Sequence, residues 1–231
     1  MKKRILFFPA AWSTEDVFSP QIKLLCDQYD IVTPDIHQFN NIRHMSDYVI
    51  NEYKNAYALI GLSMGGFVAQ DILTREPSFA SKAVLIGTHA HSTPEGGKEF
   101  LGGLIDQVRH EKLEELCQLY AEAVLSQDSL QNKTLVELVK TFPLKLGAEK
   151  CINHHQACIN WEDHTDLLRN ITAEVLILAG EHDVVVSLES QKTLQKLISK
   201  AKLEVIKNAG HLVTLENSEQ VNEEILIFLN S

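Results

Sequence analysis

Short apolar runs alternate with stretches whose apolar positions recur at helical spacing along most of this chain. The runs predict strands near residues 4–8, 30–33, 56–61, 82–86, 175–179 and 202–206. The periodic stretches predict helices near residues 19–28, 44–54, 64–75, 188–199 and 218–229. Strands that alternate with helices pair in parallel and are covered by helices on both faces. The pattern therefore predicts an α/β fold with a mainly parallel sheet.

This alternation stops after the predicted strand at 82–86, and apolar positions at helical spacing then predict three or four helices, the clearest near 111–126. We therefore expect an α/β core made of residues 1–87 and 171–231, with residues 88–170 inserted as a helical cap. The cap is expected to cover a site at the edge of the sheet. The alternative is a helical unit that only packs against the core.

Residues 61–66 read Gly-Leu-Ser-Met-Gly-Gly, directly after a predicted strand and at the start of a predicted helix. In this context the pattern is typical of a nucleophile elbow, a tight turn that exposes the serine hydroxyl. Gly61 and Gly65 lack the Cβ atoms that would clash with the chain passing close by. The pattern therefore makes Ser63 a candidate nucleophile, with a serine in an ordinary glycine-rich turn as the alternative.

A nucleophilic serine needs a base, and the base needs an acid that orients it. Asp183 follows the predicted strand at 175–179, and His211 follows the predicted strand at 202–206. Parallel sheets place their chemistry at the carboxyl ends of the strands, so both side chains are expected at the same edge as the candidate serine. Glu181 is an alternative acid, because either carboxylate can orient an imidazole.

These motifs together resemble the α/β-hydrolase superfamily, and within it the small esterases and lactonases with a helical cap. The matching stretches are residues 61–66 with Gln70 one turn later, residues 179–183, and residues 210–211 followed by Glu216 and a terminal amphipathic helix. The resemblance covers roughly residues 4–89 and 157–231. It implies Ser63 as nucleophile, Asp183 as acid and His211 as base, with no metal or organic cofactor. The first antiparallel strands of the family are expected to be missing, because the chain begins almost at the predicted strand 4–8.

The resemblance also implies an oxyanion hole built from two backbone amides. Met64, the residue after the nucleophile, supplies one, and the loop after the first strand supplies the other. The family carries His-Gly where this chain has Pro9 and Ala10, and proline has no N–H to donate. Ala11 is therefore the first candidate and Trp12 the second. Alanine tolerates a positive φ poorly, which leaves the loop conformation open.

Large apolar residues of the cap and of the first loop are candidates for the substrate pocket, although most of them are expected to belong to the core. They are Trp12, Phe100, Leu104, Tyr120, Phe142 and Trp161.

Other polar residues fit structural roles better. His154 and His155 look like a metal pair, but adjacent residues face different directions on a helix, and no further ligand lies at a recognised spacing. Asp35, Asp163 and Asp166 are expected to hold turns or helix ends, or to be solvated. The sequence therefore predicts no metal site.

Composition and charge exclude further classes of protein. The chain has 231 residues, of which 45% are hydrophobic, and a net charge of −10, so it can bury one full core. It has no concentrated positive face for nucleic acid and no apolar run long enough to span a membrane. The four cysteines have no disulfide or metal spacing and are expected to be reduced thiols of a cytoplasmic protein, either a monomer or a homodimer.

The sequence therefore predicts a serine hydrolase that cleaves a small-molecule carboxylic ester through an acyl-enzyme. Four alternatives stay open: an enol-lactonase, a carbon–carbon bond hydrolase, a methyl esterase acting on a carrier-bound acyl chain, and a non-catalytic small-molecule binding protein of the same fold.

Overall fold

The computed structural model of the chain describes residues 2–110 and 113–231. Its strands are β1 (Arg4–Phe8), β2 (Asp30–Val32), β3 (Ala56–Leu62), β4 (Ala80–Ile86), β5 (Glu174–Gly180) and β6 (Ala201–Ile206). They form one sheet in the order β2-β1-β3-β4-β5-β6, and every pairing is parallel. The predicted parallel sheet is confirmed, and each strand lies within two residues of its predicted position.

The helices are α1 (Ser19–Leu25), α2 (Ile42–Tyr53), α3 (Met64–Arg75), α4 (Glu95–His110), α5 (Leu113–Val124), α6 (Lys133–Leu146), α7 (Ala148–Ile159), α8 (Leu188–Leu197), α9 (Val213–Glu216) and α10 (Ser218–Asn230). In the described part of the chain, α4 to α7 form a helical insert between β4 and β5. The helix predicted near 111–126 corresponds to α5, and its first two predicted residues, 111 and 112, lie outside the described residues.

Alternate side chains of the strands face two separate apolar layers. Phe7 of β1 lies in the same buried cluster as Leu25 of α1. Its neighbour Phe8 points to the opposite face and joins the cluster that contains Leu73 of α3 and Leu194 of α8. Because successive side chains of a strand point to opposite faces, both faces of the sheet are buried, as the continuous apolar runs predict.

The carboxyl ends of the strands meet at one edge of the sheet, which is where the loops with the candidate site residues emerge. The register pairs Phe8 of β1 with Gly61 of β3, and Gly61 with Leu85 of β4. Gly180 of β5 pairs with Ile206 of β6. The loops that follow these strands therefore start at similar heights.

No helix within residues 2–110 and 113–231 combines the length and the apolar character that crossing a membrane requires.

The close approach of α3 to β1 depends on a glycine. A Cβ at Gly65 would lie 1.9 Å from the backbone oxygen of Phe8, whereas a Cβ at Gly103 of α4 meets nothing within 4 Å. We expect Gly65→Ala to lower the free energy of unfolding by about 3 kcal/mol or more, because buried backbone has to move. Gly103→Ala should instead raise it by about 0.5–1 kcal/mol, because alanine favours helix. Urea unfolding of both variants measures the difference, and equal midpoints would contradict the close contact.

Candidate active site

Ser63 lies in the turn between β3 and α3 with φ +54° and ψ −114°. A positive φ is strained for a residue with a side chain, and it persists only where the surroundings enforce it. Here the Ser63 amide donates to the Ile86 oxygen at 2.8 Å. A Cβ at Gly61 would lie 2.3 Å from the Gly65 oxygen, so the turn closes only with glycine at position 61. Since α3 begins at Met64, its amino end is directly adjacent to the serine.

His211 and Asp183 form a buried pair at the same edge of the sheet. His211 Nδ1 lies 2.9 Å from Asp183 Oδ2, with side-chain exposures of 4% and 1%. The second carboxylate oxygen of Asp183 accepts the amides of Val185 and Val186 at 2.8 and 2.9 Å. Because a carboxylate can only accept, His211 carries its proton on Nδ1, and its Nε2 is free to accept another proton.

The two members of the pair shift each other's pKa. Burial disfavours the charged form of His211, but the Asp183 carboxylate and the more distant Glu216 outweigh it and raise the pKa of His211 above 6.5. Burial acts against the Asp183 carboxylate too, but the charge and hydrogen bond of His211 hold the pKa of Asp183 below 3.8. Asp183 is therefore ionised at neutral pH, and His211 can take up a proton readily.

Hydrogen bonds connect the loop that carries His211 to the helical insert. The His211 amide donates to the oxygen of Val124, the last residue of α5, at 2.9 Å. The two carboxylate oxygens of Glu216 accept the amides of Leu212 at 3.0 Å and of Ser126 at 2.8 Å. Glu216 thus joins the His211 loop to the end of α5, a role that its position in the sequence does not reveal.

Ser63 and His211 both line one cavity, but the hydrogen bonds of the described residues include none from Ser63 Oγ. Hydrogen bonds between catalytic groups are often long without substrate and shorten when substrate binds. The structure therefore brings the two side chains to the same cavity without joining them directly.

Glu181, the alternative acid, lies on the surface and does not contact His211 in the described part of the chain. Glu181 is exposed, and its Oε2 accepts the amide of Asn208 at 3.0 Å, so that it holds the turn after β6. Asp35 accepts the amide of His37 at 3.3 Å, and Asp163 accepts the amide of Thr165 at 2.8 Å, each within its own turn. Asp166 pairs with Arg169 on the surface. Of these carboxylates and Asp183, only Asp183 contacts His211 in the described part of the chain.

Two backbone amides near Ser63 are free to bind an oxyanion. Within residues 2–110 and 113–231, the amides of Ala11 and Met64 donate to no protein acceptor. The Trp12 amide is already engaged, because it donates to His154 Nδ1 at 3.0 Å. This favours Ala11 over Trp12 as the second donor. The positive φ of this loop, +59°, is at Trp12, so Ala11 avoids the conformation that alanine tolerates poorly.

A cavity of about 560 Å³ lies between the sheet edge and the insert. Its wall is formed by loops at the sheet edge, by Phe67 of α3 and by residues of α4, α5 and α7, and it is mostly aliphatic and aromatic. The lining residues are Ala10, Ala11, Trp12, Ser63, Phe67, His89, Thr93, Phe100, Leu101, Leu104, Gln107, Leu116, Leu119, Tyr120, Ala123, Val124, His155, Cys158, Val185, Val186 and His211. The insert thus contributes half or more of the wall in front of Ser63.

Residues 18–218 match the sequence pattern of the family Hydrolase_4, described as serine aminopeptidase, S33. The match covers most of the chain. This chain belongs to that family of α/β hydrolases. The hydrolase class and fold expected from the sequence are therefore confirmed.

Proteins similar to this α/β hydrolase are named for several different hydrolytic activities. This chain is 28% identical over 187 residues to proline iminopeptidase PfmaB of Pestalotiopsis fici. The alignment covers 72% of this chain and 64% of that protein. It thus spans less than two thirds of that relative's length. The solved structure of a thermophilic esterase from Thermogutta terrifontis superposes with a TM-score of 0.91 at 22% identity, over 100% of this chain and 90% of that one. The enol-lactonase of Burkholderia xenovorans LB400 gives 0.90 at 17% identity, over 100% and 92%. At these identities the superpositions show the fold.

Three of the predicted pocket aromatics, Trp12, Phe100 and Tyr120, line the cavity of this α/β hydrolase, and so does Leu104. Two others do not. Phe142 is fully buried on α6 and packs in the apolar core, because its helix turns that position inward. Trp161 stacks on Phe67 with ring centroids 4.6 Å apart and so lies behind a residue of the wall. Phe142 and Trp161, which the sequence suggested for the pocket, are therefore not among the residues that line this cavity.

The adjacent histidines of α7 have separate surroundings. His154 contacts Trp12 and His37, whereas His155 lines the cavity and stacks on the Trp12 ring at 4.8 Å. Within the described residues, no group of three or more His, Cys, Asp or Glu side chains is placed to hold a metal ion.

Two histidines of the cavity wall, His89 and His155, are not among the pocket residues that the sequence suggests. Burial and the neighbouring His91 lower the pKa of His89 to about 4, and burial lowers the pKa of His155 to about 4. Both are therefore neutral at pH 7. His89 lies in the loop after β4, so the rule that loops after parallel strands form sites could have found it. No local pattern singles out His155.

Proposed function

We propose that this α/β hydrolase is a serine esterase that cleaves small, uncharged carboxylic esters through an acyl-enzyme. The observation that carries the proposal is that Ser63, in its strained turn, and His211, paired with the buried Asp183, line one apolar cavity. A serine on a strand-to-helix turn, a neutral imidazole and an orienting carboxylate are the parts that acyl transfer requires.

In the proposed reaction, Ser63 Oγ attacks the ester carbonyl and His211 Nε2 takes the serine proton. Asp183 keeps the other nitrogen of His211 protonated and stabilises the imidazolium that forms. The amides of Met64 and Ala11 bind the oxyanion; a single donor of this kind typically contributes about 3 kcal/mol. His211 then protonates the leaving alcohol. A water molecule, activated by the same histidine, attacks the acyl-enzyme and releases the acid.

The chemistry of the wall supports an uncharged substrate. His211 apart, the side chains around the cavity are aliphatic, aromatic or neutral polar at pH 7, since the pKa values of His89 and His155 are about 4. Burying an ionised carboxylate among such groups costs several kcal/mol or more. In this proposal residues 88–170 act as a cap, because α4, α5 and α7 supply the outer wall.

Hydrolysis of p-nitrophenyl esters of increasing acyl length tests the proposal, together with active-site labelling by a fluorophosphonate. We expect turnover and stoichiometric labelling at Ser63. p-Nitrophenyl hexanoate should react about 100-fold faster than mono-p-nitrophenyl adipate, which has the same chain length but ends in a carboxylate. Labelling without ester turnover would favour the enol-lactonase or carbon–carbon hydrolase alternatives. Neither labelling nor turnover would favour a binding protein.

The pH dependence of ester hydrolysis follows from the raised pKa of His211. His211 has to be neutral to accept the serine proton, so kcat/KM should rise with pH along an acid limb. Since the Asp183 carboxylate raises the pKa of His211 above 6.5, the midpoint of this limb should lie above pH 6.5. A pH profile of kcat/KM with an uncharged ester measures it. A midpoint well below 6.5 would argue against His211 as the base.

A further inference from the structure

Hydrogen bonds from the helical insert hold the loop after β1, which carries the free Ala11 amide. Tyr120 of α5 donates from its hydroxyl to the Ala11 oxygen at 3.3 Å. The indole Nε1 of Trp12 donates to the Cys151 oxygen of α7 at 3.0 Å. The backbone amide of Trp12 donates to His154 Nδ1 at 3.0 Å. The peptide unit between Ala11 and Trp12 is therefore bound by the insert on both its oxygen and its nitrogen.

This peptide unit lies at the centre of a strained turn. The Ser13 amide donates to the Ala10 oxygen at 3.2 Å, which closes a β-turn over residues 10–13. Trp12 is the third residue of the turn and has φ +59°. A positive φ at this position normally calls for glycine. The contacts with Tyr120 and His154 offset the strain, because rotation of the central peptide would break both.

His154 can accept from Trp12 only in one protonation state. It is fully buried, and its Nε2 lies 3.1 Å from His37 Nδ1. Because the Trp12 amide must donate, His154 Nδ1 is unprotonated. The proton of the neutral ring is on Nε2, which donates it to His37 Nδ1. A second proton on His154 would place an N–H on Nδ1, opposite the Trp12 amide. A second proton on His37 would place an N–H on its Nδ1, opposite the N–H of His154 Nε2.

The surroundings of the two rings favour this neutral arrangement. Burial, followed by the neighbouring His37, lowers the pKa of His154 well below 6.5. Burial also lowers the pKa of His37, against the opposing effect of Asp35. Both imidazoles are therefore neutral at pH 7 and form a fixed chain from His37 through His154 to the Trp12 amide.

We propose that His154 is a positioning residue for the oxyanion hole: its Nδ1 fixes the turn at Trp12 and thereby the amide of Ala11, a residue that lines the cavity. The proposal rests on the proposed esterase function. His154 does not line the cavity, so it acts through the loop and not on the substrate. An oxyanion amide binds charge that develops only in the transition state, so misplacing it lowers kcat and leaves KM nearly unchanged.

Two substitutions of similar size separate this role from simple packing. The Oδ1 of asparagine is attached to Cγ, as His154 Nδ1 is, so His154→Asn retains an acceptor for the Trp12 amide. The polar end of glutamine reaches the position of Nε2 instead, so His154→Gln retains the contact with His37 and loses the one with Trp12. We expect His154→Gln to lower kcat about 10- to 100-fold with KM within about threefold. His154→Asn should turn over at least about tenfold faster than His154→Gln.

His44 provides the matched control, because it is exposed and lies outside the cavity. His44→Asn and His44→Gln should both match the parent. Equal losses in the two His154 variants, no loss in either, or a change confined to KM would overturn the proposal.

A measurement on the parent protein keeps the test decisive if the variants fail to fold. ¹⁵N-histidine NMR at pH 7 should find His154 neutral with its proton on Nε2, and an imidazolium or a proton on Nδ1 would overturn the proposal.

Failure of the proposed esterase function and failure of the positioning role give different results. A parent that hydrolyses no ester and resists the fluorophosphonate contradicts the proposed function, whereas an active parent with equal His154 variants contradicts only the positioning role.

Discussion

Replacing Ser63 with alanine is expected to lower ester turnover by about 10⁶-fold, because loss of a triad nucleophile removes the acyl-enzyme route altogether. The variant should still fold. Ser63 Oγ makes no hydrogen bond among the described residues, and the β-carbon that holds the strained turn is retained. Alanine meets the same positive φ as serine. Steady-state kinetics with an uncharged p-nitrophenyl ester, together with circular dichroism, measure both properties.

Ser81→Ala is the matched control for this experiment. Ser81 is exposed at the start of β4, at the opposite edge of the sheet from Ser63. Its loss should leave turnover within about twofold of the parent, as expected for a surface change. If Ser63→Ala hydrolysed the ester as fast as Ser81→Ala, the serine mechanism would be wrong.

Asp183→Asn should lower kcat by about 10⁴-fold with little change in KM. The asparagine amide can donate to His211 Nδ1, which would move the imidazole proton to Nε2, the atom that has to accept from Ser63. The substitution also removes the carboxylate that raises the pKa of His211. The acid limb of any residual activity should therefore move to lower pH. Kinetics across a pH range measure both effects.

Glu181→Gln distinguishes the two candidate acids of the same loop. Glu181 accepts the Asn208 amide and is exposed, and the glutamine oxygen can accept the same amide. We expect activity within about threefold of the parent. The opposite ranking, with Glu181→Gln inactive and Asp183→Asn active, would assign the acid to Glu181 and contradict the geometry of the buried pair.

Much of the fold could be predicted because it is encoded in local spacing. Continuous apolar runs are typical of strands buried on both faces, and the observed sheet matches them within two residues at each end. The interruption after β4 likewise marked the helical insert. The positions of Ser63, Asp183 and His211 could be predicted for the same reason, since each lies in the connection that follows a strand and parallel strands end at one edge.

The contacts that shape the cavity could not be predicted, because they join residues far apart in the chain. The Trp12 amide and His154 are 142 residues apart, and no periodicity or motif connects them. Helical spacing identified Phe100 and Phe142 as apolar positions of the insert, but only packing decides which ring faces inward. Phe142 is fully buried, and Phe100 is 65% exposed at the cavity.

The sequence by itself determined the order and type of the elements and the strand ends that carry the candidate chemistry, because these depend on neighbours along the chain. The tertiary structure decided which carboxylate reaches His211 and which amide of the first loop is free. It also decided which insert residues form the wall. These outcomes depend on distances of about 3 Å between residues of separate elements, which are set only when those elements pack together.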